Sequence, residues 1–427
     1  MLARHEGQVV LVWGAIPGER VRARVERTGK GVLYAEMVDV LSASPDRRDA
    51  GGDWRCGGNV LSHVTCERQR ALKGEIIQDA FARIAHVPLA SPPPVIGSSE
   101  RGYRMRARLH ARDRRLGFYR EGTHELCSPA QTGQLLPETI EWLAAAEAAL
   151  QRSTLDGVLA LEIAENIPGD ERASHAELRE GANPSLYGAL MTEQSAVTDV
   201  LHVKEGDASS AMRLRRSARA FFQGNRFLLE RFVRDVVALV PPGPVVDLYA
   251  GVGLFGLALA AIGFDDVTMV EGDPVSGSDL MGNAEPLIQR VRVHRASVES
   301  FLAGPLRADA GARGTRPTHA SERRPGAAGQ SKGSESRPGA AGQSKGSADP
   351  ATYIVDPPRT GMSKDALAGI IGRKPARIVY VSCDVPTLAR DTRALIDARY
   401  ELCELKGIDL FPNTAHVETI AVFARGR

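Results

Sequence analysis

From Val245 to the C-terminus, short β-branched runs alternate with apolar-periodic stretches, and this alternation restricts the fold more than any other feature of the chain. Strands expected at Val245–Tyr249, Asp266–Glu271, Val291–His294, Tyr353–Asp356 and Ile378–Ser382, with helical segments between them, call for a doubly wound parallel sheet. Leu402–Asp409 and Glu418–Phe423 are separated by a loop alone, so they should form an antiparallel pair at one end. Open sheets of this kind collect their chemistry beyond the carboxyl ends of the strands. Three features fall there: the turn Asp247-Leu248-Tyr249-Ala250-Gly251-Val252-Gly253, the acid of Asp356-Pro357-Pro358-Arg359, and the thiol of Cys383.

Upstream, residues 1–45 read as a small β unit around the turn Ile16-Pro17-Gly18-Glu19, and five short strands there would make an oligonucleotide-type barrel. After a loop-rich stretch, Lys73–Ile84 has helical spacing. Tyr103–Ala111 and Arg115–Tyr119 read as strands, and Leu136–Arg152 and Ala218–Val240 as helices. The expected domains are 1–45, 46–215 and 216–427. Residues 304–350 carry the segment Arg-Pro-Gly-Ala-Ala-Gly-Gln-Ser-Lys-Gly-Ser twice with almost no large apolar side chains, so a disordered insertion is expected.

A hydrophobic content of 43% and charged content of 25% suit a soluble globular chain, and no run approaches membrane-spanning length. With no apolar signal core, the expectation is a cytoplasmic protein whose five cysteines are reduced. The net charge of +2 hides two clusters: Arg101, Arg104, Arg106, Arg108, Arg112, Arg114 and Arg115, then Arg213, Arg215, Arg216 and Arg219. Any one of these could be a solvated side chain. Two clusters with aromatics beside them favour a polyanionic partner.

Gly251 and Gly253 let backbone approach a ligand at the start of the helix expected over Leu254–Ala260, and Glu271 ends the next strand, where an acid can take a ribose hydroxyl pair. NAD and S-adenosylmethionine (SAM) both satisfy that logic. The closing antiparallel pair and the strand-end Asp-Pro-Pro fit a methyltransferase sheet better than a dehydrogenase.

Together with Phe221-Phe222-Gln223-Gly224-Asn225, Ser382-Cys383-Asp384-Val385-Pro386-Thr387 and Phe411-Pro412-Asn413-Thr414-Ala415-His416-Val417-Glu418, these motifs resemble the RNA uracil-C5 methyltransferases. The resemblance implies an α/β fold, with a Rossmann-like class I SAM methyltransferase sheet, an N-terminal TRAM/OB-like β-barrel and a middle α+β domain. It implies Cys383 as nucleophile and Glu418 as base, and Gln223, Tyr249, Gly251, Glu271 and Asp356 at the SAM site. Uracil C5 chemistry independently requires a thiolate that adds to C6 and a base that removes the C5 proton. The implied partner is RNA, with ribosomal RNA favoured over transfer RNA, and the expected state is a monomer without membrane attachment.

The pattern breaks at two places. Many relatives hold an iron–sulfur cluster through four cysteines, whereas Cys56-Gly57-Gly58-Asn59 keeps half of one pair and Ala50 and Thr132 stand near the other positions. No cluster and no other metal site is expected; Cys66 and Cys127 have no evident role, and Cys403 reads as core. Leu254 stands where many relatives carry a polar residue near the cofactor. Among alternatives, a cytosine-C5 methyltransferase would place its Cys after Pro, and Cys383 follows Ser382. An Asp-Pro-Pro-Tyr amino methyltransferase needs no thiol and has no Arg359. A transfer-RNA uracil methyltransferase and a catalytically weak RNA-binding protein remain as further readings.

Overall fold

The structure is a computed structural model that describes residues 1–153, 157–207, 210–304 and 351–426. Apart from Gly304, the insertion expected at 304–350 lies outside the described residues.

The N-terminal strands are β1 (Leu2–His5), β2 (Gln8–Trp13), β3 (Arg20–Gly29) and β4 (Val32–Ser42), in the order β1-β2-β4-β3. This sheet has four strands, one fewer than an oligonucleotide-type barrel would need, around a small core of Val10, Val12, Ala15 and Ala35. Then come α1 (Cys66–Ala80), β5 (Val95–Ile96), β6 (Arg106–Arg112), β7 (Arg115–Tyr119), β8 (Leu126–Cys127) and α2 (Pro137–Arg152). The sequence reading missed β9 (Val158–Glu165), β10 (Arg172–Leu178), β11 (Ala196–His202) and β12 (Ala211–Ser217). Strands β6 to β10 form a five-stranded sheet, and β11 and β12 a separate antiparallel pair.

The helix expected over Ala218–Val240 shrinks to α3 (Leu229–Val237). Residues before it are needed as extended backbone: Met105 N–H donates to Gly224 O at 2.9 Å, and Arg226 N–H donates to Tyr103 O at 2.9 Å. Asn225, fully buried, accepts the N–H groups of Phe227 and Leu228 through Oδ1 and so starts the helix.

The C-terminal half follows the expected alternation through β13 (Val245–Leu248), α4 (Leu254–Ala261), β14 (Val267–Glu271), α5 (Pro274–Ala284), β15 (Val291–Arg295), α6 (Val298–Ala303), β16 (Thr352–Val355), α7 (Lys364–Arg373), β17 (Arg377–Ser382), α8 (Val385–Asp397), β18 (Tyr400–Ile408) and β19 (Glu418–Arg425). The sheet order is β15-β14-β13-β16-β17-β19-β18-β5, parallel through β17, with β18 and β19 antiparallel to one another as expected. The order reverses at β13, between β14 and β16, which opens a crevice at their carboxyl ends. Ile378, Val379, Tyr380 and Val381 are fully buried, the pattern of a strand covered on both faces.

The eighth strand comes from outside this half. β5 lies parallel to β18, pairing Val95 with Gly407 and Ile96 with Ile408. Ile77 and Phe81 at the end of α1 pack in the same apolar cluster as Leu388 and Leu395 of α8. Two elements of the 46–215 region therefore belong with the large sheet, β5 as its edge strand and α1 packed against α8, and this shapes the site.

The cysteines differ from expectation. Cys56 and Cys127 form a disulfide, their Cα atoms 5.7 Å apart. Gly57 N–H donates to Tyr119 O at 2.8 Å and lays the loop along β7, the neighbour of β8, which brings the two thiols together. Reduced thiols throughout is thus not what the structure holds, and Cys127 acquires a role. Cys403 is exposed rather than core, because a register irregularity between Leu402 and Glu404 disturbs the alternation of β18. Arg216 is also corrected. It is fully buried against Asp199 and therefore no part of a basic surface, whereas Arg213, Arg215 and Arg219 are exposed. In the other cluster Arg104 bonds Gln134 and Arg108 bonds Glu162, leaving Arg101, Arg112, Arg114 and Arg115 the most open.

Candidate active site

β17 and β19 run side by side in antiparallel register, with Ser382 opposite Thr419. One step further along that register sets Cys383 across from Glu418. Residues opposed in this way have Cα atoms roughly 4.5–5.5 Å apart, so a thiol and a carboxyl from distant parts of the sequence leave the sheet together. Asp384 then caps α8 by accepting Thr387 N–H at 3.0 Å, and this ends the strand at the half-buried Cys383.

Glu418 is fully buried, and neither carboxylate oxygen has a hydrogen-bond partner among the described residues. Burial raises its pKa well above the ordinary carboxylate value, Asp356 adds to the rise, and Arg359 opposes it. The Cys383 thiol is pushed up to about 12, first by burial, then by the negative Glu418 and Asp356. Arg359 acts against this too, through charge and a hydrogen bond to the thiol. One exposed guanidinium therefore favours the ionised form of both groups. The sequence reading quoted Arg359 in its motif without giving it a role.

Asp356 follows β16 at the switch point and accepts from Gln223 Nε2 at 3.2 Å. Its pKa is pushed up to about 7 by burial, with the Gln223 bond opposing. Gln223 is buried, so the segment before α3 supplies a side chain directly to the strand ends.

At the glycine turn, Tyr249 has φ of 62° and Gly251 of 59°, both left-handed, and Gly253 at 102° opens α4. Glu271 accepts Gly251 N–H at 2.7 Å and Asp273 N–H at 2.6 Å, so it pins the turn. Each of its oxygens keeps a second lone pair. A Cβ on Gly251 would meet nothing within 4 Å, whereas one on Gly256 would meet Met269 at 2.6 Å and Asp247 Oδ2 at 3.0 Å. Gly251 thus borders open space and Gly256 serves close packing. Burial raises the pKa of Tyr249 and of Glu271, and brings Asp247 up to about 8. Asp247 was missed as a site residue; its Oδ2 accepts Gly256 N–H at 2.8 Å while its buried Oδ1 lacks a partner. Leu254 lies in the apolar core.

The glycine turn, the Glu271 carboxylate with spare acceptor capacity and the unpartnered Asp247 oxygen suit a ligand bearing hydroxyls and a cation, and SAM has both. An iron–sulfur cluster does not fit the cysteines present: Cys56 and Cys127 are bonded to each other, and Cys66 sits apart beside Arg48 and Glu100.

The sheet order, with its terminal antiparallel hairpin and switch-point crevice, defines a class I methyltransferase-type fold. A family model described as tRNA (Uracil-5-)-methyltransferase matches residues 346–425, the stretch with the Asp356, Cys383 and Glu418 motifs. The chain is 29% identical to the 23S rRNA (uracil(1939)-C(5))-methyltransferase of Pseudomonas putida, with 100% of this chain and 91% of that one covered. It is 28% identical to the enzyme of the same description from Halomonas elongata, over 97% of this chain and 84% of that one. The solved tRNA (uracil-54, C5)-methyltransferase of Pyrococcus abyssi, in complex with S-adenosyl-L-homocysteine, superposes with a TM-score of 0.65 at 21% identity, covering 98% of this chain and 96% of that one, which shows a shared fold. Over its whole length the chain is thus similar to RNA uracil-C5 methyltransferases.

Proposed function

We propose that this protein methylates C5 of a uridine in RNA, with 23S rRNA as substrate and SAM as donor, acting as a cytoplasmic monomer. The observation that carries the reading is the placement of Cys383 and the buried Glu418, whose carboxylate is unpartnered among the described residues, one step beyond the Ser382–Thr419 pair, with Asp356 and Arg359 acting on the thiol. The choice of ribosomal over transfer RNA rests on the full-length likeness to the rRNA enzymes.

In this mechanism the Cys383 thiolate, favoured by Arg359, adds to C6 and drives the ring electrons to C5. SAM, when bound, would supply an electrophilic methyl at a sulfonium, the methyl–sulfur bond pair staying with the departing thioether as C5 gains the methyl. Glu418 as carboxylate then removes the C5 proton; the C5–H pair forms the C5–C6 double bond, the C6–sulfur bond breaks, and the thiolate departs. Glu271, Gly251 and Tyr249 hold the donor at the glycine turn, and Gln223 with Asp356 lines the space between donor and base. The uridine must leave its stack to expose C6, so residues 1–45 and 46–215, with their exposed arginines, would grip the surrounding RNA.

The test uses SAM with a labelled methyl group and bacterial 23S rRNA and tRNA transcripts containing 5-fluorouridine, whose fluorine cannot leave as a proton. A labelled protein–RNA adduct that forms on the rRNA and disappears in Cys383→Ala is expected. Methylation that persists in Cys383→Ala would overturn the mechanism, and trapping on tRNA alone would move the substrate.

A further inference from the structure

The carboxylate of the candidate base has no hydrogen-bond partner among the described residues, so its position must be set by the backbone that carries it. Glu418 opens β19, and residues 409–417 join it to β18, where Ile408 lies opposite in register. That loop is held by α1 and the segment before it. Lys73, fully buried on α1, donates through Nζ to Asp409 Oδ1 at 2.5 Å and to Phe411 O at 3.0 Å. One turn earlier, Gln69 donates from Nε2 to Asn413 Oδ1 at 2.9 Å and accepts Asn413 N–H through Oε1 at 2.9 Å. Leu61 N–H donates to Asn413 O at 2.8 Å, and Arg48 donates to Asn413 Oδ1 at 3.1 Å. Asn413 sits at φ 64°, a left-handed conformation that asparagine tolerates and these bonds fix. Asp409 N–H, finally, donates to Ile96 O of β5 at 2.7 Å.

These contacts grip the loop at its start and its middle from residues between 48 and 96, and Asn225 Nδ2 adds a bond to Leu410 O at 3.3 Å. A buried ammonium–carboxylate pair is a poor source of net stability compared with apolar packing but a stringent geometric constraint. We propose that Lys73 and Gln69 are positioning residues for the last chemical step: they fix the 409–417 loop so that the Glu418 carboxylate meets the C5 proton of the methylated adduct. The inference rests on Glu418 being the base. Neither side chain takes part in the earlier steps, addition of the Cys383 thiolate to C6 and methyl uptake at C5, so the two stages should separate.

The experiment compares full-length wild type, Lys73→Met, Gln69→Leu and the double variant Lys73→Met/Asp409→Leu, which removes both buried charges together. The probes are an ordinary 23S rRNA transcript and its 5-fluorouridine form, with labelled SAM. In the variants, turnover on the ordinary transcript should fall about 100-fold, the scale of a misplacement of about 1 Å at a reacting group. Trapping on the fluorinated transcript, which needs no base, should keep the wild-type rate. Covalent protein–RNA adduct should also accumulate on the ordinary transcript. Wild-type turnover in Lys73→Met and Gln69→Leu would overturn the proposal. So would turnover and trapping falling together, the mark of a merely structural role; if Lys73→Met does not fold, the double variant and Gln69→Leu carry the comparison. Failure of the wild type itself to be trapped would overturn the uracil-C5 reading and this inference with it.

Discussion

The middle of the chain and the strand ends around β13, β16 and β19 both bury charge, but they treat it in opposite ways. Around β11 and β12, buried charges are matched: Arg216 Nε donates to Asp199 at 2.8 Å, and Arg226 donates to Glu165 at 2.8 Å. Arg216 also lies over the Phe222 ring at 4.3 Å. At the strand ends of the large sheet, Asp247, Asp356 and Glu418 are buried or half-buried acids with a single exposed cation, Arg359, acting on two of the site's groups. The matched set preserves a geometry. The unmatched set raises carboxyl and thiol pKa values together, a cost in folding free energy that is retained where chemistry uses it.

Glu418→Gln gives the sharpest test of this contrast. The amide keeps the shape and removes the proposed base, so turnover should fall by about 10²–10⁴-fold. Thermal stability should hold or rise, because the wild-type acid is buried without a partner. A substantial loss of stability would place Glu418 with the matched charges. Arg216→Met should do the reverse, leaving Asp199 buried and unpaired at a cost of about 3–5 kcal/mol in urea unfolding. Replacing Arg216 and Asp199 together with apolar residues should restore much of the loss.

This division also marks what could be read before the structure. Cys383 was visible because a β-branched run ends on it, and the glycine turn because residues 247–253 follow another such run. Their positions depend on local pattern alone. The opposition of Cys383 and Glu418 depends on the register of β17 with β19, which no local pattern encodes. Lys73 and Asp409 are 336 residues apart in sequence, so the pair that grips the 409–417 loop was invisible. Arg216 was misread for the same reason: β11 and its Asp199 went unrecognised, and an arginine without a visible partner reads as solvent-exposed. The segment around Gln223 was misread as helix because its apolar content matched one, although its backbone bonds go to Tyr103 and Met105.

The disulfide gives a smaller test within the middle region. Cys56 and Cys127 close a loop with a sequence separation of 71, and reducing them should lower stability by about 2–4 kcal/mol. The readout is the unfolding midpoint with and without reductant, against a Cys56→Ala/Cys127→Ala variant that should be insensitive to reductant. Trapping by Cys383 should be unaffected, because the staple lies in the sheet of β6 to β10. A fall in trapping would couple the two regions more closely than their separate charge patterns suggest.

The finest test concerns Arg359, the cation that acts on Glu418 and Cys383. As the proposed base, Glu418 would have to be ionised to remove the C5 proton, so turnover should rise with pH along an acid limb that reports its ionisation in the complex. Arg359 favours the charged forms of Glu418 and Cys383 alike. Arg359→Gln should therefore raise both pKa values and move the acid limb to higher pH, by about one unit for loss of a nearby opposite charge. Because Arg359 is exposed, stability should change little. Turnover measured across the pH range should show the variant approaching wild type as pH rises. A uniform loss with no displacement of the limb would mean that Arg359 holds RNA instead of tuning the site, and the buried acids would then need a different source of charge relief.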